Sequence, residues 1–255
     1  MTERISIDEI TLPGGERCVK LTMKAPRANA LEPEFLAELH RALDSLEHSG
    51  VQKALIAGGR NFSSGGDVGR FLKAAQTNSA EEYADQVVPL LQDLVWRMIT
   101  MPVLFASALR GAATGGAAGI VFASDLCTAT PAAFVQPYYG VMGYAPDGGW
   151  TATLPELIGA GPAQSWLMAN HRHGGEALMQ LGLVQSVDEA PEERALALLD
   201  HVEIGSALAT KSLIWTNERR ARVRAALDAE TEAFRTLIGR PEVLARMTQF
   251  LQPTG

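Results

Sequence analysis

Two glycine-rich turns and one aspartate hold most of the chemistry this sequence has to offer. The first turn is Gly58-Gly59-Arg60-Asn61-Phe62-Ser63-Ser64-Gly65-Gly66-Asp67, and the second runs from Arg110 to Gly119 through Gly115-Gly116. Each follows a short apolar run, Val51 to Ala57 and Val103 to Leu109, and each leads into a helix-length segment. The pattern predicts, twice, a strand, a tight turn and a helix N-terminus. N–H groups in the first turn of a helix lack carbonyl partners, and glycine lets a bound group approach them closely. Two such turns side by side would offer two donors to one oxygen carrying negative charge. The aspartate is Asp147, in Pro146-Asp147-Gly148-Gly149-Trp150. It can be a proton carrier in an apolar cleft, the cap of a helix begun at Gly148, or both.

Other chemistries lack their residues. Gly115-Gly116-Ala117-Ala118-Gly119 has the wrong spacing for a dinucleotide fingerprint, no Gly-Lys-Ser/Thr follows a glycine loop, and no serine sits in G-x-S-x-G. His171 and His173 lie two apart in a polar loop without a third ligand nearby, so they read as a solvated loop and no metal is expected. Cys18 and Cys127 have neither disulfide-framework nor zinc spacing, and a reducing, cytoplasmic setting is the expectation. A formal charge of −7 argues against nucleic acid as a partner. The run Arg219, Arg220, Arg222, Arg224 reads as a solvated helix face. Leu126 to Pro146 is uncharged over 21 residues but carries three prolines, so it reads as site lining or core and not as a membrane span. The N-terminus is polar from the start, unlike a secretory signal.

The elements that must position these turns follow in order. Ile5 to Leu12 and Cys18 to Met23 read as a hairpin, and Phe35, Leu36, Leu39, Ala42, Leu43 and Leu46 mark an amphipathic helix ended by Gly50. Asp67 is placed to cap the helix after the first turn. Ala80 to Met101 is a second amphipathic helix that Pro89 should kink or start late. After the second turn come helices over Pro162 to Ala169 and up to Leu181, and a last strand over Leu183 to Val187. From Pro191 on, the pattern is helical, with breaks expected at Gly205, Gly239 and Pro253. Alternating strands and helices followed by helices alone give an α/β core, residues 1–190, and a helical C-terminal region, 191–255.

Several pieces occur together in an order that resembles the crotonase superfamily, the enoyl-CoA hydratases and isomerases. They are Arg27-Ala28-Asn29-Ala30-Leu31, Phe62 to Val68, the Arg110 to Gly119 turn with Asp125 after it, Phe134-Val135-Gln136-Pro137, and Gly182-Leu183-Val184. The resemblance implies a crotonase-like spiral of ββα units, assembled as a homotrimer or dimer of trimers. It implies an acyl-CoA substrate whose thioester oxygen rests on the N–H groups of Gly66 and Gly116. Coenzyme A would be part of the substrate, and no separate cofactor is implied. It further implies that Ala28 and Leu31 lie near the CoA moiety, that Ser64 and Asp67 lie beside the oxyanion donors, and that Arg27 meets CoA phosphates. The helical C-terminal region would serve trimer contacts and cover the site.

The reaction is more open than the family. Hydratases of this kind use two glutamates, and here Gly119 stands at the first position and Tyr138 or Tyr139 at the second. Asp147 is the remaining carboxylate, and isomerase members resemble this segment in having Pro-Asp before glycines and a second proline nine residues on, here Pro155. One carboxylate suffices for a 1,3-proton shift, and burial would raise its pKa toward neutrality. Isomerisation is therefore the expectation. The alternatives are a hydratase using other residues, naphthoate-synthase-like C–C chemistry, dehalogenation, or a non-catalytic acyl-CoA binder. Naphthoate synthases use a late tyrosine, and none follows Tyr144. Dehalogenases use a histidine that is absent between Asp67 and Pro102. A peptidase on a related spiral would need a serine with a histidine in reach, and no motif supplies one. Tyr138, Tyr139, Met142, Tyr144 and Trp150 point to a roomy or aromatic-friendly pocket.

Overall fold

In the computed structural model, which describes residues 3–252, strands β1 (Ile5–Thr11) and β2 (Arg17–Met23) form the expected antiparallel hairpin, with Ile5 opposite Met23 and Thr11 opposite Arg17. Parallel strands β3 (Lys53–Ala57), β4 (Leu104–Leu109), β6 (Leu126–Ala129) and β9 (Ser186–Val187) extend it into a six-stranded sheet of order β1-β2-β3-β4-β6-β9. Every residue of β3 and β4 is buried, as parallel strands covered on both faces require. A second, smaller sheet of order β5-β7-β8 joins Ala112–Thr114, Phe134–Gln136 and His173–Gly174. Isolated bridges, Leu31 with Gly66 and Ser63 with Ala113, continue this stack across neighbouring segments. The chain thus winds as a spiral, placing a long strand in one sheet and a short strand or bridge in the other before it returns through a helix.

The crossover helices are α1 (Pro33–Ser49), α2 (Val68–Gln76), α3 (Ala80–Thr100) and the short α4 (Ala118–Phe122), which begins as a 3-10 turn at Gly115. Helix α1 buries the six apolar residues its spacing marked, and Gly50 ends it in a left-handed conformation (φ 67°). Helix α3 does not start late at Pro89: it runs from Ala80 straight through that residue. Apolar packing on both its flanks, with Val87, Val88, Leu91 and Leu94 all buried, offsets the one lost hydrogen bond.

Helices α5 (Ala160–Ala169) and α6 (Gly175–Gln180) precede the C-terminal set, α7 (Pro191–His201), α8 (Ile204–Ile214), α9 (Asn217–Ile238) and α10 (Pro241–Phe250). Helix α7 covers one face of the large sheet, where Ala195 and Leu199 join Leu12, Cys18, Leu55 and Leu104 in a small core. Helix α9 packs along α3, and α10 against α2. Two expectations change here. The chain breaks at Val202–Glu203 and not at Gly205, because the Glu203 carboxylate accepts from the Gly205 and Ser206 N–H groups (2.9 and 2.7 Å) and caps α8. The arginines of α9 are not merely solvated: Arg219 meets Glu156 at 2.7 Å and Arg224 meets Asp93 at 2.8 Å, tying the helix to the body. Pro253 lies outside the described residues. No helix among those described is long and apolar enough to cross a membrane.

Candidate active site

The first glycine turn is held from below by an unusual piece of backbone. Arg27, Ala28 and Asn29 all take left-handed φ values (52°, 56° and 57°), a conformation costly for residues with a Cβ. Four hydrogen bonds over-determine it. Ser64 N–H donates to the Ala28 carbonyl (2.9 Å) and Ser64 Oγ to that of Arg27 (2.8 Å). Ser63 Oγ donates to the Asn29 carbonyl (2.7 Å), and Asn29 Nδ2 to that of Phe62 (2.9 Å). The Arg27–Leu31 and Phe62–Asp67 segments are therefore two halves of one locked unit.

The second turn lies directly against the first. Ser63 N–H donates to Ala112 O (2.9 Å), Thr114 N–H donates to Ser63 O (3.2 Å), and a β-carbon on Gly65 would stand 2.5 Å from Thr114 O. Gly65 (φ 78°) and Gly115 (φ 52°) supply the left-handed bends that let the two turns meet. Gly66 and Gly116 follow those bends. In the parallel Leu31–Gly66 bridge the Leu31 N–H is bonded to Gly65 O (2.8 Å), which leaves the Gly66 N–H free of that ladder. Gly116 stands in the first turn of a helix, where its N–H has no intrahelical partner. Both line one cavity of about 370 Å³, within the range of small-molecule sites.

Asp147 is in the wall of the same cavity. A β-carbon on Gly116 would stand 2.7 Å from Asp147 Oδ1, so the carboxyl group fills the space beside that glycine. It does not cap a helix: Gly148 and Gly149 both have positive φ (66° and 97°), and the next helix begins only at Leu154. The Tyr139 hydroxyl donates to Asp147 Oδ1 at 2.5 Å, and Asp147 is 8% exposed. Burial pushes its carboxyl up to about 7; the Tyr139 hydrogen bond opposes this and the charge of Glu230 adds to it. Tyr139 itself is held well above the usual phenol range, first by burial and then by Asp147. The other carboxylate of the wall, Asp67, caps α2 (Arg70 N–H to Oδ1, 3.0 Å) and pairs with Arg27 at 2.6 Å.

The cavity gathers Gly66, Gly116, Asp147, Arg27, Ser64, Asp67, Tyr138 and Tyr139. It does not gather Ala28 or Leu31: Ala28 is exposed outside the cavity wall, and Leu31 is buried in the Gly66 bridge. Arg27 turns its guanidinium to Glu32 and Asp67 while its side chain stays exposed. Met142 and Tyr144 line the chamber as expected, with Phe71 and Phe234, whereas Trp150 is fully buried behind it and donates from Nε1 to Gly115 O (2.8 Å), bracing the second turn. His173 stacks edge-on against Trp166 (centroids 4.4 Å apart), so it is not simply solvated. No cluster of three potential metal ligands occurs among the described residues.

Gly119, which the resemblance sets at the first hydratase glutamate position, packs against the Asp147 loop. A β-carbon there would fall 1.8 Å from Gly148 O and 3.0 Å from Val95 Cγ2, so no side chain fits while that loop keeps its place.

Glu230 is the residue that sequence reasoning missed. It is 4% exposed on α9, and its carboxylate accepts from the Gly149 N–H (2.7 Å), the Thr151 N–H (2.5 Å) and Thr151 Oγ (2.7 Å). The available signal is its position: with Val223, Leu227, Phe234 and Ile238 it occupies the buried stripe of the helix, where a glutamate is out of pattern.

A family model for enoyl-CoA hydratase/isomerase matches residues 15–251. The chain belongs to the enoyl-CoA hydratase/isomerase family. Within that family it is similar to an ethylmalonyl-CoA decarboxylase of Gallus gallus, 28% identical over 230 residues that cover 87% of this chain and 76% of the relative. It is also similar to a trans-2-decenoyl-[acyl-carrier-protein] isomerase of Streptococcus mutans, 26% identical over 204 residues covering 76% of this chain and 77% of the relative. The fold matches the crystal structure of an enoyl-CoA hydratase from Bacillus halodurans with a TM-score of 0.86, at 22% identity, over 97% of this chain and 100% of that one. The crotonase-like spiral expected from the ordered motifs is thus the fold of this enoyl-CoA hydratase/isomerase family member. Its family acts on acyl-CoA thioesters.

Proposed function

We propose that the protein shifts a carbon–carbon double bond along an acyl-CoA by proton transfer through Asp147. The observation that carries this reading is the placement of a buried, cation-free carboxyl group beside Gly116, in the same cavity wall as Gly66. With the thioester oxygen on the Gly66 and Gly116 N–H groups, loss of a proton from C2 of a 3-enoyl chain leaves a dienolate whose charge collects on that oxygen. Donors already fixed by the locked turns stabilise this charge more than they do the neutral carbonyl. The Asp147 carboxylate takes the C2 proton, becomes the neutral acid and returns the proton to C4, giving the 2-enoyl thioester with no net change in atoms. A carboxyl group that titrates near 7 is suited to both halves of that shuttle.

The tight packing at Gly119 supports isomerisation over two-glutamate hydration, because the space of a glutamate stem is filled by the loop that carries Asp147. The isomerase relative is consistent with the same choice. The test is incubation with 3-enoyl-CoA and 2-enoyl-CoA panels in heavy water, followed by mass spectrometry. Deuterium is expected in the product of the native chain and is expected to fall at least 100-fold in Asp147→Asn. Absence of both 2-enoyl-CoA formation and exchange in the native chain, or equal turnover in the variant, refutes the reading; a mass gain of one water points to hydration.

A further inference from the structure

The proposed chemistry depends on one carboxyl group standing within reach of two backbone donors, and within the Asp147 segment itself the tie to those turns is the buried Trp150, which donates from Nε1 to Gly115 O (2.8 Å). Pro146 to Thr153 has no strand pairing, and its two glycines, Gly148 and Gly149, both adopt left-handed φ. The segment is anchored on its inner side by Tyr139 and, from a helix distant in the chain, by Glu230. Every named partner of the Glu230 carboxylate is a neutral donor of this one turn: the Gly149 N–H, the Thr151 N–H and the Thr151 hydroxyl. A buried carboxylate without a cation is costly, and burial accordingly makes Glu230 hold its proton more tightly than an ordinary glutamate. A purely packing role would be met better by the leucine or phenylalanine that the stripe elsewhere carries.

We propose that Glu230 is the positioning residue of this site: its carboxylate clamps the Gly149–Thr151 turn from α9 and so fixes where the Asp147 carboxyl stands beside Gly116. The C-terminal helical region is then part of the catalytic apparatus and not only its cover. This rests on the isomerase reading for its kinetic consequence but not for the clamp itself. The clamp also has an electrostatic consequence. The titratable groups that face Asp147 are Tyr139 and Tyr144 on the preceding segment and Glu230 on α9, while α3 contributes the apolar Leu91 beside Gly116 and Gly148. Burial is the main reason that Asp147 holds its proton, and the nearby Glu230 charge adds to it, so removing that charge moves Asp147 titration toward lower pH.

The experiment compares the full chain with Glu230→Gln and Thr151→Ala. Glutamine keeps the shape but puts an amide NH₂ against one of the N–H donors, and Thr151→Ala removes a single bond to the clamp should the first variant fail to fold. Three measurements are made: kcat and KM for 3-enoyl-CoA isomerisation across pH, the dissociation constant for octanoyl-CoA, and titration of ¹³C-labelled aspartate carboxyls by NMR, with Asp147→Asn identifying the signal. In Glu230→Gln, kcat is expected to fall at least 10-fold, octanoyl-CoA to bind within about 2-fold of the parent, and the acid limb and the Asp147 signal both to move to lower pH. In Thr151→Ala, kcat is expected to fall more modestly, with amide exchange at Gly149 and Thr151 quickened. An unchanged kcat and unchanged acid limb in a folded Glu230→Gln overturn the proposal. If the native chain turns over no enoyl-CoA, the isomerase reading fails by itself. The NMR titration and amide exchange then still decide the clamp, which is lost if neither moves in either variant.

Discussion

Replacing Asp147 by asparagine should make the protein more stable in a way that depends on pH. The aspartate titrates near 7 in the folded chain against an ordinary value of 3.8, chiefly because burial opposes its charge. Between those values the folded chain keeps a proton that the unfolded chain has released, so stability is full below about pH 4 and falls as pH rises through 7. At about 1.4 kcal/mol per pKa unit, the whole window corresponds to about 4 kcal/mol, and the part between pH 5 and pH 8 to about 2.5 kcal/mol. Asparagine has the same shape, can accept the Tyr139 hydroxyl through Oδ1 and does not titrate. The stability gap between variant and parent should therefore widen in favour of the variant by about 2.5 kcal/mol from pH 5 to pH 8. Urea unfolding followed by circular dichroism at five or six pH values measures that gap directly, since titrations shared by both chains cancel. A gap that stays flat across the range would show that Asp147 titrates as an ordinary exposed carboxyl, and the proton shuttle built on its raised pKa would fall with it.

Tyr139→Phe removes the hydrogen bond that favours the ionised form of Asp147; a bond to a charged acceptor contributes about 1.5–3 kcal/mol, so the acid limb of kcat/KM should move to higher pH by about one unit or more. An unmoved limb would exclude Tyr139 as a partner of the reacting carboxylate. Gly119→Ala places a methyl group 1.8 Å from Gly148 O, which forces the Asp147 loop outward; a loss of about 3 kcal/mol in unfolding free energy and of most exchange activity is expected, and a variant of native stability would show that the loop yields freely. The Tyr144 hydroxyl is buried without a partner among the described residues, so Tyr144→Phe should raise stability by about 1 kcal/mol in thermal unfolding, whereas a decrease would reveal a partner for that hydroxyl.

How much of this was legible beforehand varies residue by residue. The hairpin, α1 and the Asp67 cap follow from patterns that act over a few positions, and these appear where periodicity and side-chain chemistry put them. Asp67 illustrates the limit: its capping bond to Arg70 is local, but its pairing with Arg27 spans two segments. Gly205 shows a competition on a smaller scale, since a capping glutamate two residues earlier outweighs the helix-breaking tendency of glycine.

What the sequence by itself determined is the pair of turns. Glycines at 65 and 115 are required where φ is positive, and a glycine after each leaves the next N–H approachable, which is a local steric fact written into the residue types. Only the tertiary structure decided that these turns touch, that Gly119 has no room for a side chain, and that Asp147 stands beside Gly116 without capping a helix. Glu230 is the clearest case, because it meets Gly149 across 81 residues of chain. A carboxylate on a helix has no meaning for a distant turn until folding removes both from water, and burial then makes their hydrogen bonds and charges strong enough to matter.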